Sequence, residues 1–335
     1  MAEEQRVGDK KNENDLVRSV QAHDSTQWPK GAFGYYGSKQ RLANSILKYL
    51  PPHHCWVELF GGALAVTMAK KPAMIEIAND LDENIVNTFR QMRDNGDELV
   101  RLIELTPYAR TELTRARQGW DEDSDLERAR KFLVQAMMSV NGVMAGKRGG
   151  FSVSDTYTRG AREARVNRWY NYPERLKAVT SRLRQIRIEN RDGIELLAEY
   201  SNKPATLIYI DPPYLANRGA GYNIEARGRD FHERLLSQAL LCKCMIMISG
   251  YRSKTYTKLL EGKGGWRRIE LNAATQTTNG DRLGREEMLW MNKIAEKAWK
   301  TDSVGITLTE KERKDGKVNP QRGPVRKYQR IWRAT

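Results

Sequence analysis

A carboxylate and an aromatic ring stand together at the end of a short apolar run, where residues 207–214 read LIYIDPPY. Asp211 follows the run directly, and two prolines then remove backbone donors and stiffen the turn before Tyr214. A hydrogen-bond acceptor and a flat ring on such an elbow suit a ligand site, because open α/β sheets bind ligands at the carboxyl ends of their strands. A solvated acid at an ordinary proline-rich strand exit explains these residues equally well, so other segments must decide.

A second candidate site follows the first predicted strand, where VELFGGALAV (57–66) leads into a helix. Gly61 and Gly62 allow a tight turn and a close approach of backbone amides to a ligand. The next predicted strand ends in Asp80, the position from which doubly wound folds bind a ribose diol. A structural turn, and a helix N-cap at Asp80 or Asp82, are the alternatives. Together the turn and the acid indicate a nucleoside-bearing cofactor.

Seven predicted strands would position these residues. They are short apolar runs bounded by breakers or polar residues: CWVELF (55–60), AMIEIAND (73–80), QIRIEN (185–190), TLIYID (206–211), CMIMIS (244–249), WRRIEL (266–271) and EMLWMN (287–292). A helix is predicted to begin at Ser38 as N-cap and to end before Pro51. The alternation of strands and helices at the start is typical of a parallel sheet with helices on its faces, so we predict a Rossmann-like α/β fold.

The strand pattern is interrupted once, between the second and third strands. Residues 105–180 are rich in arginine, mostly helical or irregular by pattern, and include the glycine-rich stretch NGVMAGKRGGFSVS (141–154). We therefore predict a mainly helical inserted domain there. The other predicted parts are a disordered N-terminal arm at 1–28, a sheet domain at 29–104 and 181–295, and a basic tail at 296–335.

The charge of the chain favours a nucleic-acid partner. Lysine and arginine number 57 against 42 acids, a net charge of +15. Residues 146–187 hold 11 of these bases against 3 acids, and aromatic rings are interleaved with them: Phe151, Tyr157, Trp169, Tyr170 and Tyr172. Basic residues contact phosphates and flat rings stack on bases, so this combination is typical of nucleic-acid binding. A solvated basic face is the simpler alternative.

Several classes of protein are disfavoured by the composition. No apolar stretch is long enough to span a bilayer, and the N-terminus lacks the apolar segment of a signal peptide, which predicts a cytoplasmic protein without a membrane partner. The three cysteines, Cys55, Cys242 and Cys244, are predicted to be buried thiols and neither disulfides nor metal ligands. We predict no metal.

Six segments in one order carry a resemblance to a known family. They read FGYYGSK (33–39), VELFGGALAV (57–66), NDLDENIVNTF (79–89), NGVMAGKRGGFSVS (141–154), NRDGIELL (190–197) and IDPPY (210–214). This series resembles the Dam-like, alpha-group DNA adenine methyltransferases, which methylate the exocyclic amine of adenine with S-adenosylmethionine. The resemblance covers roughly residues 30–295 and implies a seven-stranded methyltransferase sheet with an inserted domain that recognises the DNA target.

The resemblance also implies roles for individual residues. Tyr35 and Lys39 would line the methionine end of the cofactor pocket, Phe60, Gly61 and Gly62 would form the cofactor turn, Asp80 would hold the ribose, and Asp192 would meet the cofactor's adenine amine. Asp211, Pro212, Pro213 and Tyr214 would be the catalytic tetrad, with Asp211 also in contact with the cofactor. Asn141, Lys147 and Arg148 would contact DNA.

The resemblance implies that Asp211 activates a poor nucleophile, the exocyclic amine of adenine. The lone pair of the adenine amine is delocalised into the ring, and two acceptors, the Asp211 carboxylate and a proline carbonyl, would draw electron density onto the nitrogen. Tyr214 would stack on the extruded base, because an amine inside a duplex must be flipped out to react.

The sequence leaves several points open. Leu64 stands where the family usually has another glycine, and the 141–154 loop matches the family's target-reading loop only in part. An RNA adenine methyltransferase and a catalytically silent DNA-binding protein are the alternative functions. The target sequence, the oligomeric state and the role in restriction, phage protection or regulation are also left open.

Overall fold

The computed structural model describes residues 29–35, 37–140, 142, 149–213, 228–271 and 287–304. The strands within these ranges are β1 (Cys55–Glu58), β2 (Ile75–Asn79), β3 (Thr158–Arg159), β4 (Arg162–Glu163), β5 (Arg187–Glu189), β6 (Thr206–Ile210), β7 (Met245–Tyr251), β8 (Arg267–Leu271) and β9 (Glu287–Met291). Seven of them form one sheet in the order β5-β2-β1-β6-β7-β9-β8, whereas β3 and β4 form a separate hairpin.

The seven sheet strands fall on the seven predicted runs, and the predicted α/β fold is confirmed. Neighbouring strands from β5 to β7 pair in parallel, but β9 is antiparallel to both β7 and β8. The strand order reverses between β1 and β6, which is the position where doubly wound sheets bind ligands. The carboxyl ends of β1, β2, β5 and β6 therefore bring the predicted site segments to one edge.

Helices and helical turns connect the strands. The α-helices in the described ranges are α1 (Ala43–Leu47), α2 (Ala65–Ala69), α3 (Glu83–Asp94), α4 (Gly96–Glu104), α5 (Arg110–Arg115), α6 (Asp125–Met138), α7 (Ala164–Tyr170), α8 (Tyr172–Leu183), α9 (Gly193–Tyr200), α10 (Arg229–Leu241), α11 (Lys254–Tyr256) and α12 (Lys293–Thr301). A 3₁₀ turn, Lys39–Arg41, precedes α1, and a π-helix, Thr257–Lys263, follows α11.

The predicted start of the first helix, with Ser38 as N-cap, is wrong. Ser38 precedes the 3₁₀ turn and makes no capping hydrogen bond through its side chain, and the α-helix begins only at Ala43. The tighter turn buries Lys39, which an ordinary amphipathic helix with its first turn in water would have left exposed.

Alternate residues of the strands pack on opposite faces of the sheet. Ile208 and Ile210 of β6 contribute to the apolar core beneath α9 and α10, while Leu207 and Tyr209 contribute to the core that includes α1 and α12. The helices α3, α4, α6 and α8 enclose a third core. Such two-sided burial explains why the strands read as nearly continuous apolar runs.

Helices from the predicted insertion are anchored on the rest of the chain. The Tyr172 hydroxyl at the start of α8 donates to the Ala32 carbonyl at 2.9 Å. Near the end of the same helix, Arg182 pairs with Glu76 of β2 at 2.5 Å, and the other oxygen of Glu76 pairs with Lys70, also at 2.5 Å. All three charged side chains are buried. We call this cluster the Glu76 triad.

The predicted division into domains stays a prediction. The arm at 1–28 lies outside the described residues, as does most of the tail, and α12 runs across the predicted start of the tail at 296. Among the described residues, no helix is both long and apolar enough to cross a membrane. The three cysteines are buried free thiols, as predicted.

Candidate active site

Asp211 lies directly after β6, and two donors hold one oxygen of its carboxylate. The Lys39 ammonium lies 2.7 Å from Oδ1, and the Ser249 hydroxyl donates to the same oxygen at 2.9 Å. Ser249 reaches this position because β6 and β7 pair in register, with Ile210 opposite Ile248. The residues that follow this pair, Asp211 and Ser249, therefore lie side by side at the carboxyl ends of their strands.

Lys39 is buried between two carboxylates. Its ammonium lies 3.4 Å from Glu287 Oε1, at the start of β9, in addition to its contact with Asp211. Burial alone would lower the pKa of Lys39, but the charges of Asp211 and Glu287 outweigh burial, and the pKa is raised. The lysine is therefore a fixed cation between two acidic side chains.

The turn after β1 requires both of its glycines. Gly62 has a φ of 48°, in the left-handed region, and the ring of Tyr35 lies so close that a Cβ on Gly62 would be 3.1 Å from it. A Cβ on Gly61 would come within 3.2 Å of the Asn79 carbonyl oxygen. The turn thus keeps its backbone bare beside Tyr35, one of the predicted cofactor contacts.

Leu64 adopts an unusual backbone conformation just after this turn. Its φ of 54° and ψ of 40° lie in the left-handed region, where a residue other than glycine costs roughly 1–2 kcal/mol. The side chain is fully buried in the helical core, which offsets that cost. The backbone therefore has the conformation that favours glycine, the residue the family usually has there, although the residue is leucine.

Asp80 ties the end of β2 to the glycine turn. Its Oδ2 accepts from the Gly62 N–H at 2.8 Å and its Oδ1 from the Asp82 N–H at 2.9 Å. The N-cap of α3 is Asp82, which accepts from the Asn84 N–H, so the capping alternative belongs to Asp82 and not to Asp80. Burial raises the pKa of Asp80 to about 6, against the opposing effect of its backbone hydrogen bonds.

Asp192 and Phe60 bring the loop after β5 beside the same turn. Asp192 caps α9, where its Oδ1 accepts from the N–H groups of Ile194 at 2.7 Å and Glu195 at 3.1 Å. The Phe60 ring packs on Gly193, where a Cβ would be 2.9 Å from ring Cζ. Asp192 is therefore a helix cap in this structure, and its predicted contact with the cofactor's adenine stays a prediction.

The two prolines are supported from behind by α10. Pro212 is buried, and His232 of α10 lies nearby, fully buried, with Nδ1 2.9 Å from the Tyr256 hydroxyl. Burial lowers the pKa of His232 to about 4. The imidazole is thus neutral near pH 7 and contributes no charge to the elbow.

Some of the predicted site residues lie outside the described part of the chain. The base of the 141–154 loop is closed by a bridge between Ser139 and Phe151. The predicted site residues outside the described ranges are Tyr214, Asn141, Lys147 and Arg148.

The sequence analysis missed three polar residues of the site. Tyr209 of β6, Ser249 of β7 and Glu287 of β9 are buried beside the Lys39–Asp211 pair. For Ser249 and Glu287 the available signal was a polar group at the last or first position of an apolar run, whereas Tyr209 lies inside its run and has no such signal. A polar residue at such a position also fits the exposed end of a strand, so only the strand pairing distinguishes a buried site residue from an exposed one.

Comparison with known proteins agrees with the family that the motifs indicated. The family model described as D12 class N6 adenine-specific DNA methyltransferase matches residues 35–269. The Type II methyltransferase M1.LlaDCHI of Lactococcus lactis subsp. cremoris is 26% identical over 227 residues, which cover 61% of this chain and 76% of that protein.

A solved structure, the rRNA methyltransferase aviRa from Streptomyces viridochromogenes, is 14% identical with a TM-score of 0.36, and the match covers 83% of this chain and 96% of that one. The fold assignment rests on the strand order, and the family assignment rests on the match over most of the chain. The chain therefore belongs to the D12 class of N6 adenine-specific DNA methyltransferases, as its resemblance to the Dam-like enzymes predicted.

Proposed function

We propose that this DNA adenine methyltransferase uses S-adenosylmethionine and transfers the methyl group to the N6 amine of an adenine bound at Asp211. The observation that carries the proposal is the position of Asp211. It pairs with buried Lys39 at the end of β6, and β6 lies next to β1, which leads into the Gly61–Gly62 turn, where the strand order reverses. When bound, S-adenosylmethionine supplies an electrophilic methyl group on a sulfonium sulfur.

The described residues fit a cofactor with a nucleoside and an amino-acid end. The bare glycine backbone beside Tyr35 leaves room for close approach, and a carboxylate such as that of Asp80 has about four acceptor sites, more than its bonds to Gly62 and Asp82 use. We assign the ribose to Asp80, the methionine end to Tyr35 and Lys39, and the cofactor's adenine to the region of Phe60 and Asp192.

Asp211 activates the target amine by accepting a hydrogen bond from it. A second bond to a carbonyl of the Pro212–Pro213 elbow would occupy the other N–H and align the lone pair. Positive charge develops on the nitrogen as it attacks, and a carboxylate held in place beforehand stabilises that charge without reorganisation. His232, buried near the elbow, is neutral near pH 7 and adds no charge there.

The substrate we propose is duplex DNA from which one adenine is extruded. The exocyclic amine of a paired adenine cannot reach Asp211 inside the stack, so the base must leave it, and Tyr214 would then stack on its face. Sequence-specific action is supported by the similarity to a Type II methyltransferase.

The direct test is transfer of labelled methyl from S-adenosylmethionine to duplex DNA and to RNA of matched sequence. We expect label in the DNA, as N6-methyladenine in one short sequence context. Label in RNA alone would favour the RNA alternative, and no label in either would favour a silent DNA-binding protein.

Asp80→Asn is expected to weaken the binding of S-adenosylmethionine by about 1–3 kcal/mol, because a buried charged acceptor is lost. The pKa of Asp80 is about 6, so in the wild-type protein the charged acceptor is present above pH 6 and is lost as the pH falls below it. Affinity measured by calorimetry should therefore fall between pH 7 and pH 5 in the wild type but not in the variant. An equal pH dependence in both proteins would assign Asp80 to the turn alone.

The hairpin of β3 and β4 is the described part of the insertion best suited to contact DNA. Gly160 and Ala161 at its tip both have a φ of 57°, and Arg159 beside them is exposed. The Arg162 guanidinium lies 4.0 Å from the ring centroid of exposed Tyr170. We propose that this hairpin contacts the DNA backbone, together with the predicted contacts Asn141, Lys147 and Arg148.

Arg159→Ala is expected to weaken DNA binding and to make it less sensitive to salt. One lost phosphate contact should reduce the slope of log affinity against log salt by about 0.9. The matched control is Lys203→Ala. Lys203 precedes the amino end of β6, at the opposite end of the strand from the site. Fluorescence anisotropy over a salt series measures both slopes, and an unchanged slope for Arg159→Ala would remove the hairpin tip from the interface.

A further inference from the structure

Behind Asp211, two buried hydroxyl groups form a chain of hydrogen bonds that ends on its carboxylate. The Tyr209 hydroxyl lies 2.8 Å from Ser249 Oγ, and Ser249 Oγ lies 2.9 Å from Asp211 Oδ1. Tyr209 and Ser249 are both fully buried. Neither residue is among the cofactor, catalytic or DNA contacts assigned above.

The direction of the chain follows from the number of protons. Ser249 has one hydroxyl proton and gives it to Asp211, so its oxygen can only accept from Tyr209. Burial and the nearby Asp211 charge raise the pKa of Tyr209 well above its usual value, and the phenol therefore remains a donor. Its ring is stacked on Trp56, with centroids 5.8 Å apart and planes 12° apart, which fixes the position of the hydroxyl.

The chain selects one oxygen of Asp211. Oδ1 receives both the Lys39 ammonium and the Ser249 hydroxyl, whereas Oδ2 receives no hydrogen bond from the residues that the structure describes. An ammonium is a compact charge with rotatable donors and defines a carboxylate's orientation poorly. A hydroxyl held on a neighbouring strand supplies the missing directional restraint.

We infer that Ser249 and Tyr209 are positioning residues for methyl transfer, which fix the rotation of the Asp211 carboxylate so that Oδ2 is the oxygen presented to the adenine amine. The inference rests on the proposed role of Asp211. Neither residue touches the substrate, and Tyr209 acts only through Ser249. The two residues should therefore affect the rate of methyl transfer but not the affinity for the cofactor.

The test is a double-mutant cycle read by single-turnover methyl transfer to duplex DNA. Ser249→Ala is expected to slow transfer by about tenfold, because one hydrogen bond to a charged group is lost. Tyr209→Phe is expected to slow transfer by about threefold, because it removes only the hydrogen bond that supports Ser249. Because Tyr209 acts through Ser249, the double variant should be no slower than Ser249→Ala alone. The dissociation constant of S-adenosylmethionine should not change.

Tyr200→Phe is the matched control, because it removes a buried tyrosine hydroxyl, bonded to Arg187, that is not part of the chain. Its rate should equal that of the wild type. A wild-type rate for Ser249→Ala, or effects of the two variants that simply multiply, would overturn the inference. If Ser249→Ala does not fold, the comparison of Tyr209→Phe with Tyr200→Phe decides, and equal rates reject the chain.

Failure of the inference is distinguishable from failure of the proposed function. If Asp211→Asn is inactive while Ser249→Ala and Tyr209→Phe are fully active, the role of Asp211 stands and the positioning chain is rejected. If Asp211→Asn is as active as the wild type, the proposed function of the site is rejected, and the inference with it.

Discussion

Replacing Asp211 with asparagine is expected to slow methyl transfer by about a hundredfold to a thousandfold, while S-adenosylmethionine still binds measurably. The side chain keeps its size, but it loses the charge that stabilises the developing positive charge on the amine, and removal of one such electrostatic group typically costs a hundredfold to a thousandfold. Asp211→Ala, which also removes the acceptor oxygen, should abolish transfer. Single-turnover kinetics and calorimetry with the cofactor separate the two effects.

Asp123→Asn is the appropriate control, because Asp123 forms a comparable ion pair with Lys131, at 2.5 Å and with 15% of its side chain exposed. Its substitution should not alter the rate of transfer. Recovery of more than a few per cent of wild-type turnover by Asp211→Ala would show that another group activates the amine.

Lys39→Met is expected to lower the free energy of unfolding by about 3–5 kcal/mol, as well as to abolish methyl transfer. The methionine side chain fills a similar volume, but Asp211 and Glu287 are left close together in a buried site without their cation. Removing one partner of a buried ion pair costs this much because the remaining charge is uncompensated. Denaturant unfolding measures the loss.

Two further variants test the cause of that loss. Lys131→Met removes a lysine with a single carboxylate partner and more exposure, so a smaller loss is expected. Adding Glu287→Gln to Lys39→Met removes one of the two uncompensated charges and should restore part of the stability. A loss no larger than that of Lys131→Met, or no recovery in the double variant, would contradict this account of the Lys39 site.

The fold was predictable because burial on both faces of a parallel sheet leaves a direct record in the sequence. The run around Ile208 is nearly continuously apolar because every residue of β6 is buried. The direction of β9 leaves no such record, because a buried antiparallel strand such as EMLWM has the same composition as a parallel one. The 3₁₀ turn at Lys39 was also missed, because the apolar spacing that follows it fits a longer helix.

The candidate site was predictable where its residues belong to contiguous motifs. Gly62, Asp80 and Asp211 come from separate segments, yet each is recognisable beside its own strand, and the structure brings all three to one edge. Ser249 and Glu287 were missed because their role depends on which strand pairs with β6 and β7, a long-range property that local sequence does not contain.

The Glu76 triad has a consequence for protein engineering. A graft that replaced the predicted recognition insertion, residues 105–180, would cut α8 between its two anchors, the Tyr172 hydroxyl and Arg182. A donor segment that supplied the whole helix without an arginine at its end would leave Glu76 half compensated in the sheet. Chimeras should therefore inherit α8, β2 and the segment with Lys70 from the same parent, so that the carboxylate and both of its cations are transferred together.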